Sequence, residues 1–157
     1  MVPHTVLTLL VLITLSTTVL AHNVQSWPPA MGSRFNPLTP SSQIDYDIQG
    51  PLSSSLEFPC KNLHLLPQSP AATLAAGVKH NITFIKEYAA PHDFGSMQVA
   101  LSYDDAKTFY VIHSWQGQAA DPERRYNFVV PRDAKVGEAL FSWTWINKKG
   151  AREFYMA

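Results

Sequence analysis

The chain has 157 residues and no net charge, because 12 basic residues balance 12 acidic ones. This length allows one domain with a hydrophobic core, and the lack of a basic surplus argues against nucleic acids and anionic membranes as partners. The single cysteine, Cys60, would be unusual in a secreted domain and leaves three interpretations open: a buried free thiol, an intermolecular partner, or the remnant of a lost bridge.

Residues 1–21 have the pattern of a secretory signal peptide. An apolar segment of about ten residues, Val6–Leu15, precedes a cleavage site with small residues that ends at Ala21. That segment is too short and too rich in threonine for a membrane-spanning helix, which needs about 20 apolar residues. We therefore expect a secreted, extracellular protein whose mature chain, residues 22–157, is a single monomeric domain that begins at His22.

Residues 22–76 differ in composition from the rest of the mature chain. They are rich in Pro, Ser, Asn and Leu and show little periodicity, and their prolines interrupt any long helix or central strand. This part is predicted to form long loops and short turns with at most one brief strand, and loops of such length are often functional.

Residues 77–157 alternate between apolar and polar positions with the period of β-strands. Strands are predicted at 78–85, 97–103, 109–112, 126–130, 139–147 and 152–156, with turns at 104–107 and 148–150. The predicted fold class is mainly β: an immunoglobulin/fibronectin-III-like antiparallel β-sandwich with long N-terminal loops. The triplet Asn81-Ile82-Thr83 is an N-glycosylation sequon, which accords with a secreted glycoprotein.

His22 is the first candidate metal ligand. Signal cleavage would leave it as residue one, where its free α-amine and its ring Nδ1 can chelate one metal ion together. The amine is a usable ligand because its pKa is only about 7.7–8.0, so a metal can displace its proton near neutral pH. With a second imidazole, three nitrogen ligands in a planar arrangement would favour copper over harder ions. The alternative is that a histidine follows the cleavage site by accident.

Four other histidines of the mature chain could supply the second imidazole. They are His64, His80, His92 and His113. His80 and His113 lie within strand patterns, where a histidine is more often packed or surface-exposed, and His64 lies in a leucine-rich loop without polar neighbours. His92 lies in a loop between two strands, where metal ligands are commonly found, and it is the favoured candidate.

Glu153 and Tyr155 are the candidate catalytic residues near the end of the chain. They are two positions apart and therefore share one face of a strand. A phenol near copper could take an axial position, and the carboxyl group beside it could hydrogen-bond a bound oxygen species. The alternative is an amphipathic edge strand with an exposed Glu153 and a half-buried Tyr155.

Seven short segments form a pattern along nearly the whole mature chain. They are the Pro-rich start at His22, Glu57-Phe58-Pro59-Cys60-Lys61, Ala90-Pro91-His92 ahead of Gly95-Ser96, Val111-Ile112-His113-Ser114, Tyr126-Asn127-Phe128, Trp143-Thr144-Trp145-Ile146-Asn147-Lys148 and Arg152-Glu153-Phe154-Tyr155-Met156. In this order, the set resembles the fungal chitin-active lytic polysaccharide monooxygenases of auxiliary activity family eleven.

The resemblance implies a copper histidine brace, in which His22 supplies its amine and Nδ1 and His92 supplies its Nε2. Tyr155 would be the axial tyrosine, Ala90 the small residue on the other axial face, and Glu153 the acid beside the copper. The implied chemistry is oxidation at C1 or C4 that breaks the β-1,4 bonds of an insoluble polysaccharide, expected to be chitin. The implied partners are an external electron donor and hydrogen peroxide or dioxygen.

The chain departs from the disulfide pattern of the family that it resembles. Met97 stands where the resemblance implies a bridge partner for Cys60, and residues 117–119 lack another expected cysteine. The chain also ends at Ala157, directly after the axial-tyrosine motif. Loss of one bridge costs about 2–5 kcal/mol in a small secreted domain, so either packing compensates or the chain is truncated at its C-terminus.

Three functions are to be distinguished. The favoured one is a copper-dependent lytic polysaccharide monooxygenase, an oxidoreductase that degrades polysaccharide. The alternatives are a secreted non-catalytic copper-binding protein on the same scaffold and a secreted carbohydrate-binding module without a metal. Glu153 and Tyr155 favour the enzyme, because copper storage needs neither residue.

Overall fold

The computed structural model describes residues 23–67, 69–86, 94–118, 120–148 and 152–157, so the predicted signal peptide lies outside the described residues. The strands are β1 Gln25–Trp27, β2 Lys79–Phe84, β3 Gly95–Ser102, β4 Tyr110–Gln116, β5 Tyr126–Val129, β6 Leu140–Asn147 and β7 Phe154–Met156. Short 3-10 helices cover Ser41–Gln43, Ser55–Glu57 and Cys60–Leu65. Within the described ranges, no helix is long and apolar enough to cross a membrane.

The strands form two antiparallel sheets that share one core. One sheet has the order β1-β2-β5 and the other has the order β4-β3-β6-β7. Across the core, the ring centroid of Phe84 on β2 lies 4.8 Å from that of Trp143 on β6, and the centroid of Phe128 on β5 lies 5.4 Å from that of Phe141 on β6. The predicted mainly β, antiparallel sandwich is thereby confirmed.

Large aromatic side chains fill this core in place of a disulfide framework. The most deeply buried aromatic residues are Trp143, Trp145, Phe128 and Tyr155, each at most 2% exposed. Full burial of one such side chain contributes about 1.5–3 kcal/mol to the stability of the fold. Met97 is fully buried in the same core, and Cys60 is a buried free thiol. The position that the resemblance assigned to a bridge partner of Cys60 is thus part of the hydrophobic core.

Three strand boundaries differ from the predicted ones by two residues or more, and one of them is the start of β3, at Gly95 and not at Met97. β4 continues to Gln116 instead of ending at Ile112, because the residues that follow Ile112 keep pairing with β3. β7 begins at Phe154 and not at Arg152, because Arg152 has a left-handed backbone conformation with a φ of +56°. Glu153 therefore lies directly before the strand, while Tyr155 lies within it.

The long loops before β2 are confirmed, and they contact both sheets. The backbone N–H of Leu52 donates to the carbonyl of Phe154 at 2.8 Å, which gives the edge strand β7 a partner on its outer side. The backbone N–H of Ile85, after β2, donates to the carbonyl of Val24 at 2.8 Å. The predicted turn at 104–107 is also confirmed, between β3 and β4. The N-terminal loops are thus anchored close to the last strand.

Candidate functional site

Glu153 and Tyr155 form a hydrogen-bonded pair at the start of β7. Tyr155 is 2% exposed and packs on Trp145, which lies opposite it on β6, with the ring centroids 5.0 Å apart. The Oη atom of Tyr155 donates to Oε2 of Glu153 at 2.8 Å. The two side chains are thus in contact, as their spacing predicts. Tyr155 is fully buried, whereas the alternative of an amphipathic edge strand required a half-buried tyrosine.

Asn147, the last residue of β6, holds both the backbone and the side chain of Glu153. Its Nδ2 donates to Oε2 of Glu153 at 2.7 Å, and its Oδ1 accepts the backbone N–H of Glu153 at 3.0 Å. Its own backbone N–H donates to the carbonyl of Glu153 at 3.3 Å. The sequence patterns assigned Asn147 no role. The available signal was a polar residue at the strand position that follows Trp143 and Trp145 on the buried face.

The environment of Tyr155 keeps its phenol protonated. Burial raises the pKa of Tyr155 most, and its hydrogen bond to Glu153 and the charge of that carboxylate raise the pKa further. The phenol is therefore a neutral donor throughout the ordinary pH range. Oε2 of Glu153 accepts hydrogen bonds from both Tyr155 and Asn147.

Asn23, the residue that follows His22, lines a crevice that Tyr155 also lines. It is 4% exposed and lines a narrow crevice together with Trp143, Tyr155 and Met156. Its Oδ1 atom is buried and has no hydrogen-bond partner among the described residues. His22 itself lies outside the described residues, and the first described residue of the chain lines the same crevice as Tyr155.

Gly95, at the start of β3, lies against the end of β6 that carries Asn147. The two residues pair across the sheet, and a Cβ atom on Gly95 would approach Nε1 of Trp145 to 2.4 Å and the carbonyl oxygen of Ile146 to 2.5 Å. With a φ of +153°, this position requires glycine. Residues 87–93, which include the candidate ligand His92 and Ala90, precede this strand and lie outside the described residues.

Relatives of the chain come from one family. No protein-family model matches the chain. It is 44% identical over 138 residues to AA11 family lytic polysaccharide monooxygenase A of Aspergillus fumigatus, a match that covers 87% of this chain and 62% of that protein. It is 29% identical over 139 residues to AA11 family lytic polysaccharide monooxygenase B of the same species. This match covers 75% of this chain and 32% of that protein. The chain is a homologue of the AA11 family.

A third match extends this finding to another species. The AA11 homologue is 28% identical over 118 residues to an AA11 family lytic polysaccharide monooxygenase of Aspergillus oryzae, over 64% of this chain and 28% of that protein. The chain thus spans less than two thirds of the length of the relatives that it matches. The resemblance drawn from the seven segments is confirmed.

Two other histidines of this AA11 homologue are engaged within the sandwich. Nε2 of His80 lies 3.0 Å from the carbonyl oxygen of Ala75, and the His113 ring packs on Trp115 with centroids 4.5 Å apart. In the described part of the chain, no group of three or more His, Cys, Asp or Glu side chains could hold a metal ion. These contacts agree with the packed interpretation of strand histidines.

The described donors suit copper only in part. Near the end of β6 they are a neutral phenol, on Tyr155, and a carboxyl group, on Glu153. Copper favours nitrogen ligands in a planar arrangement, so this pair fits an axial position and a neighbouring acid, but not the principal ligand set. The predicted nitrogen donors, His22 and His92, lie outside the described residues.

Proposed function

We propose that this chain binds one copper ion in a histidine brace and cleaves a β-1,4-linked polysaccharide, chitin, by oxidation. The homology supports this proposal, because all three relatives are named lytic polysaccharide monooxygenases of one family. In this proposal the chain is secreted, is cleaved after Ala21, and uses an external electron donor together with hydrogen peroxide or dioxygen.

The observation that carries the proposal is that three chain segments each contact the last two strands, β6 and β7. Asn23 and Tyr155 line the same crevice. Gly95 pairs with Asn147, which in turn binds Glu153. The first segment directly follows one candidate ligand, the second begins three residues after the other, and the third carries the candidate catalytic pair.

Covalent geometry limits the distance of each candidate histidine from a described residue. His22 is bonded to Asn23, and consecutive Cα atoms are about 3.8 Å apart, so its Cα lies within that distance of a residue that lines the crevice. His92 is three residues before Gly95, so the two Cα atoms are at most about 11 Å apart.

Each residue has a defined role in the proposed centre. The α-amine and Nδ1 of His22 and the Nε2 of His92 would hold the copper ion, and Tyr155 and Ala90 would be its neighbours. Bound copper would supply the oxidising chemistry, and the protein would fix geometry and access.

Glu153 and Tyr155 would act through the hydrogen bond that they share. The hydroxyl of Tyr155 would donate its proton to Glu153, and its oxygen would be a weak donor to the metal. The carboxyl group of Glu153 is oriented by two donors at Oε2. An acid held in this way can accept or return a proton at the reacting centre.

The mature chain that starts at His22 tests the proposal when it is loaded with copper and incubated with β-chitin and ascorbate. We expect oxidised oligosaccharides in the mass spectrum, and we expect them to disappear in His92→Ala. A chain with one extra residue before His22 is the matched control, since it keeps every side chain and moves only the amine. It should lose high-affinity copper binding.

The two alternatives give different results in the same experiments. A non-catalytic copper-binding protein would bind copper tightly, lose this binding on extension, and release no products from chitin, cellulose or soluble glucans. A carbohydrate-binding module would bind polysaccharide equally well with or without copper and with or without the extra residue.

A further inference from the structure

We infer that Asn147 is a positioning residue, which fixes the carboxyl group of Glu153 against the phenol of Tyr155. The inference rests on the proposed function of that pair. Asn147 acts through Glu153, with which it forms three hydrogen bonds. Its Nδ2 donates to the carboxyl group at 2.7 Å, its Oδ1 accepts the backbone N–H at 3.0 Å, and its backbone N–H donates to the carbonyl at 3.3 Å.

The three contacts divide into two kinds. The Oδ1 and the backbone N–H of Asn147 bind the backbone of Glu153 and therefore join the end of β6 to the start of β7. The Nδ2 contact is different, because it ends on the carboxyl oxygen that also receives the Tyr155 hydroxyl. A residue that only joined the two strands would need the acceptor and not this donor.

The orientation of the Asn147 amide is unique. If the amide were turned over, its oxygen would face the carboxyl group of Glu153, and its NH₂ group would face the backbone N–H of the same residue. Both hydrogen bonds would then be lost. Because Asn147 is only 2% exposed, water could not replace them. The amide therefore presents a fixed donor to Glu153.

The backbone around Glu153 explains why this donor matters. Glu153 lies before β7, and the preceding residue, Arg152, has a left-handed conformation with a φ of +56°. Strand pairing therefore begins only after Glu153, whose long side chain has several rotatable bonds. Without the Nδ2 donor, the carboxyl group would lose one of the hydrogen bonds that hold it against the Tyr155 hydroxyl.

The variant Asn147→Asp separates positioning from strand joining. It keeps an acceptor for the backbone N–H of Glu153 at nearly the same size, and it replaces the donor with an oxygen that repels the carboxylate. We expect kcat on chitin to fall by about 10- to 100-fold, with little change in KM. The matched control is Ser142→Ala on the same strand, because Ser142 is also buried and its Oγ has no hydrogen-bond partner among the described residues. Its kcat should stay at the wild-type value.

Two measurements on the copper-free protein do not depend on catalysis. In ultraviolet resonance Raman spectra, the doublet of Tyr155 is assigned from the difference between wild-type protein and Tyr155→Phe. In Asn147→Asp, this doublet should indicate a weaker hydrogen bond from the phenol to Glu153. In ¹H–¹⁵N spectra, the side-chain NH₂ resonance of Asn147 should shift upfield in Glu153→Ala, because its acceptor is removed. The second measurement needs no substitution at Asn147, so it tests the hydrogen bond between Asn147 and Glu153 even if Asn147→Asp does not fold.

The outcomes separate this inference from the function on which it rests. A wild-type kcat and tyrosine doublet in Asn147→Asp, or an NH₂ resonance unaffected by Glu153→Ala, would overturn the positioning role. An equal loss of kcat in Ser142→Ala would overturn it too, since general loosening of β6 would then explain the effect. If the spectra change as expected but wild-type protein does not oxidise chitin, the proposed function fails while the contact stands.

Discussion

At the scale of single residues, the hydroxyl of Tyr155 makes the contact on which the candidate site depends. Tyr155→Phe keeps the ring packing on Trp145 and removes the donor to Glu153, so the free energy of unfolding should fall by about 1–2 kcal/mol. Urea denaturation measures this change, with Tyr110→Phe as the control because Tyr110 is exposed. Equal effects of the two substitutions would contradict the importance of the buried hydrogen bond.

Cys60 is a second residue whose chemistry follows from its surroundings. It is 5% exposed, and burial raises the pKa of its thiol to about 12. Since the thiolate is the reactive form, iodoacetamide at pH 8 should leave the folded chain unlabelled and label it once urea unfolds it. Intact mass measures the labelled fraction. Rapid labelling of folded protein would contradict the buried free thiol, which the structure favours among the three interpretations of Cys60.

At the scale of elements, the close approach of β3 to β6 depends on Gly95. Gly95→Ala would bring a methyl group within 2.5 Å of backbone and indole atoms, so it should destabilise the fold. Gly137→Ala is the matched control, because Gly137 also has a positive φ, of +131°, but has nothing within 4 Å of the added atom. We expect Gly95→Ala to lower the free energy of unfolding by about 1–3 kcal/mol more than the control does.

The elements also show what local sequence can and cannot predict. Alternation of apolar residues located most of the strands, because burial of one sheet face repeats every second residue. It did not extend β4 to Gln116, since residues 113–116 mix polar and aromatic side chains and their pairing with β3 defines the strand. Asn147 was missed for a related reason. Its contact with Glu153 depends on the register between β6 and β7, which the sequence of neither strand determines alone.

At the scale of the whole molecule, the candidate site draws on both sheets. Val24, two residues after His22, is bound by Ile85 at the end of β2 in the three-stranded sheet. Tyr155 belongs to the four-stranded sheet. The sequence could propose His22, His92, Glu153 and Tyr155 from chemistry and resemblance, but only the fold brings the first described residue of the chain beside the last strand. A metal held from both sides would stabilise the folded state and not the unfolded chain.

Copper should therefore raise the Tm of the mature chain. A ligand present at 100 times its Kd adds about 2.7 kcal/mol to the stability of the state that binds it, which corresponds to roughly 8–11 °C for a domain of this size. Calorimetry with copper and with EDTA measures the shift, and one extra residue before His22 should abolish it. Tyr155→Phe should retain most of it, because the principal donors of the proposed brace are nitrogens. An equal shift in the extended chain would assign copper to other histidines and contradict the brace.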